Sequence, residues 1–263
     1  MTPIFLTDTV TPDLERGLHY AMLWGMEGVA LRMMGHERLP NTNEAKLRYH
    51  IEQTEMPMMA FSPGLFEGDV LENVLWMEDL MRLEDALHFA EKFDRPIMMT
   101  SGFARPERPE DRPKCLDRAV DVLRKAGDRA AKRQITLAVQ NEIEGLCPTG
   151  AALAELLTAV NHPNIRAGWS PYDAFMAGEL PEEGAYAIAP HAALVLARDG
   201  LFQKNKWQET VIGEGHLGWP AQIRILKAGG FSGFVCLEMY LAPKGKMGLR
   251  TSTVLIHLLQ QTR

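Results

Sequence analysis

The sequence predicts an α/β protein folded as a single (β/α)8 barrel over residues 1–263. Three observations carry that prediction. Short apolar runs alternate with helix-period segments from end to end, several runs are apolar nearly throughout, and roughly eight strand–helix units use up the 263 residues. Continuous apolar runs mark parallel strands covered on both faces. Strand–helix alternation implies parallel pairing through right-handed crossovers. Eight units of this length suit a closed barrel, which typically needs about 250 residues. A doubly wound nucleotide fold would place GxGxxG after the first strand, and Thr7-Asp8-Thr9-Val10 has no glycine there.

The elements follow in order. Residues 4–6 open as a strand. Thr11 caps a helix with Pro12 at its first position and acids at Asp13 and Glu15. Leu14, Leu18, Ala21, Met22 and Leu23 form its buried stripe, and Gly25 ends it. Residues 28–32 are the second strand, 43–54 a short helix and 58–62 the third strand. A long helix over about 71–93, with Leu80, Leu83, Leu87 and Ala90 on one face, precedes the fourth strand at 96–100. The polar, proline-rich stretch 104–114 reads as a long loop, because the repeat resumes in phase after it. A helix at 116–133 leads to the fifth strand at 135–139, and one at 151–160 to the sixth at 165–169. A helix near 182–188 leads to the seventh strand at 193–197. A helix at 219–228, the eighth strand at 234–237 and a closing helix at 249–261 complete the chain. Met33-Met34, Met58-Met59 and Met98-Met99 lie in or beside strands and read as core filler.

Composition narrows the class of function. With 46% apolar and 24% charged residues the chain is ordinary for a folded protein. No apolar run approaches the roughly 18 residues of a membrane span, and the first residues lack the basic and apolar regions of a signal peptide. A net charge of −6 disfavours nucleic acid as partner, since phosphate contact needs a basic face. Three widely spaced cysteines, Cys115, Cys147 and Cys236, fit reduced thiols in the cytoplasm.

A barrel of this kind gathers its chemistry at the C-terminal ends of its strands. The residues just past each strand are Thr7-Asp8, Arg32 with His36, Ser62, Ser101, Gln140-Asn141-Glu142, Ser170 with Tyr172 and Asp173, Arg198-Asp199, and Glu238 with Tyr240. This polar rim over an apolar barrel suits a small hydroxylated ligand. Glu238 stands out, because a carboxylate ending a buried strand is costly unless paired or hydrogen-bonded. Gln140 and Glu142 share a face if the fifth strand continues past Val139. The turn Gly213-Glu214-Gly215-His216 brings backbone close to a ligand, with Glu214 and His216 as polar groups. Arg32 and Arg198 offer forks for an anionic group. There is no GxSxG, P-loop or HExxH, so nucleophilic serine or cysteine catalysis has no support.

Several segments carry a resemblance. Gly213-Glu214-Gly215, then Leu226 and Gly229-Gly230-Phe231-Ser232-Gly233-Phe234 leading to Leu237-Glu238, resembles the end of the xylose isomerase-like TIM-barrel superfamily of sugar phosphate isomerases and epimerases. Its members include ketose 3-epimerases, hydroxypyruvate isomerases, inosose dehydratases and endonuclease IV. Leu137-Ala138-Val139-Gln140-Asn141, Trp24-Gly25-Met26-Glu27-Gly28-Val29 and the segments 164–173 and 195–199 are similar to other strand ends of that family. The resemblance implies isomerisation or epimerisation of a carbohydrate, a sugar or sugar phosphate, by proton transfer next to a carbonyl, with Glu238, Glu142 and His216 as acid/base groups. It implies substrate contacts from Gln140, Asn141, Ser170, Asp173, Arg198, Arg32 and Glu214. A metal-independent lyase or dehydratase acting on a sugar or polyol, and a silent sugar-binding barrel, are the alternatives. The family holds a divalent ion on four side chains, whose positions here are Gln140, Ser170, Leu196 and Glu238. Only Glu238 is retained, so that metal site is expected to be lost. A Mn²⁺ or Mg²⁺ ion would need another donor set, drawn from Glu142, Asp173, His216 and Glu238.

Overall fold

The computed structural model describes residues 1–261 and is organised around a closed barrel of eight parallel strands. These are β1 (Thr2–Leu6), β2 (Gly28–Leu31), β3 (Met58–Phe61), β4 (Ile97–Thr100), β5 (Leu137–Gln140), β6 (Ile165–Trp169), β7 (Ala192–Ala197) and β8 (Phe234–Leu237). Each pairs with its neighbours in sequence. The barrel closes where β1 meets β8, with Thr2 opposite Phe234 and Phe5 opposite Leu237. Closure removes the unpaired edges that an open sheet would expose.

The helices are α1 (Leu14–Leu23), α2 (Glu44–Thr54), α3 (Asn73–Glu91), α4 (Arg112–Lys132), α5 (Gly150–Val160), α6 (Pro171–Met176), α7 (Pro181–Ile188), α8 (Trp219–Ala228) and α9 (Lys244–Gln261). Strand alternation divides the core in two. Ile4, Leu6, Met99, Ala138, Leu194, Leu196 and Cys236 fill the barrel interior as an apolar plug. Their alternates, such as Phe5, Phe61, Val139 and Val195, face the helices in the larger outer core. Each fully buried Leu or Phe side chain contributes about 1.5–3 kcal/mol of burial. Of the six methionines read as core filler, Met34, Met58, Met98 and Met99 are buried and Met33 and Met59 are half-buried; the three cysteines are buried free thiols. Among the described residues no helix is long and apolar enough to cross a membrane.

The sequence expectations need correction at several points. The cap of α1 is Asp13, whose carboxylate accepts from Arg16 N at 2.9 Å, and Thr11 instead accepts from Asp13 N. Leu14, Leu18 and Ala21 are buried in α1, whereas Met22 and Leu23 lie on its outer face, 47% and 59% exposed. The 104–114 loop is shorter than expected, because α4 begins at Arg112, with Pro113 in its first turn, where no donor is lost. Among the features that escaped the sequence reading, two stand beside the C-terminal ends of the strands. α6 follows β6 directly, and an antiparallel hairpin of Asp199–Gln203 and Lys206–Thr210 follows β7. Lys204 and Asn205 both take positive φ, 50° and 60°, as a two-residue hairpin turn with the twist of its strands requires.

Candidate active site

The inward face of each strand continues past the plug into a polar layer. Two residues beyond Leu6, Ala30, Ala60, Met99, Ala138, Gly168, Leu196 and Cys236 stand Asp8, Arg32, Ser62, Ser101, Gln140, Ser170, Arg198 and Glu238. The period of two carries the interior face upward, so polar groups replace apolar ones at the C-terminal mouth.

Glu238 is the centre of this layer. Its backbone N–H still bonds Ala197 O at 2.9 Å, which ties it to the end of β7. Burial pushes its carboxyl up to about 7, the guanidinium groups of Arg198 and Arg32 hold it back, and Asp173 and Glu209 push it further. The Tyr240 hydroxyl donates towards Glu238 Oε1 at 3.5 Å. Burial and the neighbouring Glu238 raise that phenol to about 12, so it stays protonated near neutral pH.

Both arginines are fixed by their own acids. Arg32 Nε donates to Asp8 Oδ2 at 2.9 Å, and this pairing outweighs the opposing effect of burial on its proton affinity. Arg198 is paired with Glu209 of the hairpin and lies over the Tyr172 ring at 3.6 Å and the Tyr240 ring at 4.6 Å. Trp207 Nε1 donates to the same Glu209 carboxylate at 3.0 Å. Two buried polar atoms in this layer have no partner, Arg198 Nε and Asp8 Oδ1. Leaving such a group unsatisfied costs about 1–3 kcal/mol.

On the opposite side of the mouth Glu142 accepts from Ser101 Oγ at 2.9 Å, and burial raises its carboxyl despite that bond. Asp173 accepts from Ser170 Oγ at 2.5 Å and adds negative potential at both Glu142 and Glu238. Gln140 projects across Gly168, where a Cβ would lie 3.1 Å from Gln140 Cγ; glycine leaves room for the amide. Glu142, Glu238, Asp173, Ser170, Gln140, Arg198 and Arg32 therefore belong to one mouth.

Other expected site residues lie elsewhere or serve the scaffold. Asn141 is fully buried and bridges loops, accepting from Ser170 N at 2.7 Å and donating to Ser170 O at 2.9 Å. Its amide is spent on that bridge rather than on a ligand. Glu214 is exposed and pairs with Arg250 of α9. His216 is exposed, with its ring 6.3 Å from that of Phe175. The turn that carries both is shaped by Asp199. This carboxylate, 1% exposed, accepts from the backbone N–H of Gly200, Gly213, Gly215 and Leu217. Burial raises its proton affinity and those four donors lower it.

The hairpin supplies what the sequence reading missed. Glu209 pins Arg198, while Phe202 and Trp207 pack with Tyr172 and Phe175 at ring distances of 5.2–6.2 Å. Alternating residues on either side of Lys204-Asn205 were the available signal. An open cleft of about 420 Å³ between the starts of α1 and α2, lined by Asp13, Glu15, Glu37 and Lys46, contains none of the strand-end groups.

The mouth does not suit the family's divalent ion. Such an ion needs several oxygen or imidazole donors. Leu196 belongs to the apolar plug, the Ser170 hydroxyl is given to Asp173, and Gln140 is neutral. Two guanidinium groups beside Glu238 add positive charge where the ion would sit. Among the described residues no three His, Cys, Asp or Glu side chains are grouped to hold a metal, so Glu142, Asp173, His216 and Glu238 do not form the alternative set.

Known proteins place this geometry in context. A search of curated proteins finds no match. Among solved structures the fold is similar to the IolI protein, described with a zinc atom, at TM-score 0.83 and 15% identity over 100% of this chain and 99% of that one. It is similar to an L-ribulose 3-epimerase at TM-score 0.79 and 12% identity, covering 100% and 95% of the two chains. The probable 3-DHS dehydratase AsbF of Bacillus anthracis matches at TM-score 0.79 and 14% identity, covering 97% and 99%. Identities this low establish the fold alone. A family model described as xylose isomerase-like TIM barrel matches residues 18–252, and by that match over most of its length this chain belongs to the xylose isomerase-like TIM barrel family.

Proposed function

We propose that this protein is an isomerase or epimerase of an unphosphorylated sugar, acting by proton transfer at the carbon next to a carbonyl. One observation carries the reading: the interior face of β8 ends in a carboxyl group, Glu238, held over an apolar plug between two fixed guanidinium groups. A base working at neutral pH is most effective when its own proton affinity is matched to that pH. Glu238 takes the proton, and the electron pair of the broken C–H bond moves through the new C=C bond onto the carbonyl oxygen. Return of the proton to the former carbonyl carbon, with the hydroxyl proton of the adjacent carbon passing to the former carbonyl oxygen, gives the isomer; return to the same carbon from the other side gives the epimer. Glu142 is the second acid/base group and Gln140 binds a substrate hydroxyl, while Ser170 holds Asp173 in place.

Charge pairing supports a neutral substrate. Arg32 and Arg198 each already face a carboxylate, Asp8 and Glu209. Barrels often bind phosphate at the loops after strands seven and eight. Here Asp199 already occupies the backbone donors of the glycine turn after β7. Neither of the two arginines of the mouth is left without a carboxylate for a phosphate dianion to replace.

A second reading, dehydration, has one specific support. Burial favours the protonated form of Glu142, which suits an acid that helps a hydroxyl leave. Incubation of a panel of ketoses in D2O separates the readings. Isomerisation or epimerisation gives a product of unchanged formula carrying solvent deuterium, and dehydration gives a product lighter by one water. Glu238→Gln is expected to lose at least about 100-fold in rate. No exchange with any ketose, together with retained sugar binding, would instead favour a silent barrel.

A further inference from the structure

The misfit with a divalent ion raises the question of what holds the carbonyl oxygen while its neighbouring carbon loses a proton. We infer that Arg198 is the cation of this site, holding the carbonyl oxygen of a neutral 2-hydroxy carbonyl substrate through guanidinium N–H donors, so that no divalent ion is required. The inference rests on the proton-transfer reading and extends it to the group that stabilises the developing negative charge.

Three features of Arg198 point to this role. The first is position: it stands two residues beyond Leu196 on the interior face of β7, beside the strand that ends in Glu238. The second is rigidity. Glu209 pins one edge of the guanidinium, and Tyr172 and Tyr240 cover it at 3.6 and 4.6 Å. A cation fixed before the reaction needs no reorganisation when charge develops, which is what makes such groups effective. The third is spare donor capacity. A guanidinium carries five N–H donors. The one acceptor recorded for this side chain among the described residues is Glu209, and its Nε is buried with no partner. The side chain is also 18% exposed, so part of it faces solvent at the mouth. Arg32 differs, since its Nε is committed to Asp8.

In the reaction the C–H bond breaks to give its proton to Glu238. The C–H electrons form the C=C bond, and the carbonyl electrons move to an oxygen held by Arg198. Reprotonation at the same carbon reverses these movements; reprotonation at the former carbonyl carbon gives the isomer once the hydroxyl proton has passed to the oxygen held by Arg198, with no oxidant or reductant in the balance.

The test uses the intact protein and unphosphorylated ketoses of three to six carbons. Solvent-deuterium exchange is measured after dialysis against EDTA and again with added MnCl2, and the proposal expects equal rates in the two. Exchange that vanishes with EDTA and returns with Mn²⁺ overturns it, while leaving the proton-transfer reading intact. Calorimetry in EDTA then compares wild type, Arg198→Met and Arg198→Lys, each checked for fold by circular dichroism. Loss of a charge-assisted hydrogen bond should weaken ketose binding about 10- to 100-fold in Arg198→Met, with partial recovery in Arg198→Lys. Binding of the matching sugar alcohol, which has no carbonyl, should change far less. Equal ketose binding by wild type and Arg198→Met, or no metal-free binding of any ketose by wild type, overturns the proposal. Metal-free, Arg198-dependent binding without exchange upholds the guanidinium contact and sinks the proton-transfer reading instead.

Discussion

The Glu238 carboxyl sits where burial and two cations act against each other, and burial wins: its proton affinity rises to about 7. Stability must then depend on pH. The folded chain binds this proton more tightly than the unfolded chain, where glutamate titrates near 4.3. The cost is absent below both values, grows as pH rises through the interval, and is complete above about 7. Glu238→Gln is therefore expected to be more stable than wild type at pH 8, by no more than ~3 kcal/mol because the group is partly solvated. The difference should disappear near pH 4 in urea unfolding followed at both pH values. At Asp199 the prediction has the opposite sign. Asp199→Ala leaves four backbone donors in and around the glycine turn without their acceptor and should cost about 3–5 kcal/mol by the same method. A loss under 1 kcal/mol would show that water replaces the carboxylate.

Among the elements, the strands were the most legible and the hairpin the least. Apolar runs bounded by polar residues located all eight strands, and the residues just past those runs included Glu238 and Arg198. The hairpin was missed because Lys204-Asn205 has no glycine, although both residues adopt positive φ. Missing it meant missing Glu209, so Arg198 looked like a free anion fork when it is already paired. Asn141 and Glu214 were misjudged for a related reason. Their bonds to Ser170 and Arg250 join residues 29 and 36 positions apart, separations that local pattern does not reveal. The hairpin's role predicts a local effect. Trp207→Ala removes the ring packing with Tyr172, Phe175 and Phe202 and the indole hydrogen bond to Glu209, which keeps its pairing with Arg198. Limited proteolysis within residues 199–210 should become about tenfold faster, while the barrel's unfolding midpoint changes little.

The whole molecule separates stability from chemistry along the barrel axis. The plug of Leu6, Met99, Ala138, Leu196 and Cys236 underlies the mouth, and the polar layer above it lines the proposed site. Overfilling this plug tests its packing. Ala138 is fully buried, and a Cβ at Gly168 would already meet the Ala138 Cβ at 3.5 Å. Ala138→Leu is expected to lose about 1–3 kcal/mol in chemical denaturation with an unchanged slope. An unchanged midpoint would mean that the interior holds space for the added carbons. The central claim concerns the mouth, where Glu238 moves a proton at neutral pH. It is tested most directly by the pH dependence of solvent-deuterium exchange into a ketose substrate, measured for wild type and Glu238→Gln. The account predicts a wild-type rate that rises with pH to a plateau with its midpoint near 7, and a variant with neither the rise nor the plateau. Exchange that persists in Glu238→Gln at the wild-type rate would contradict it.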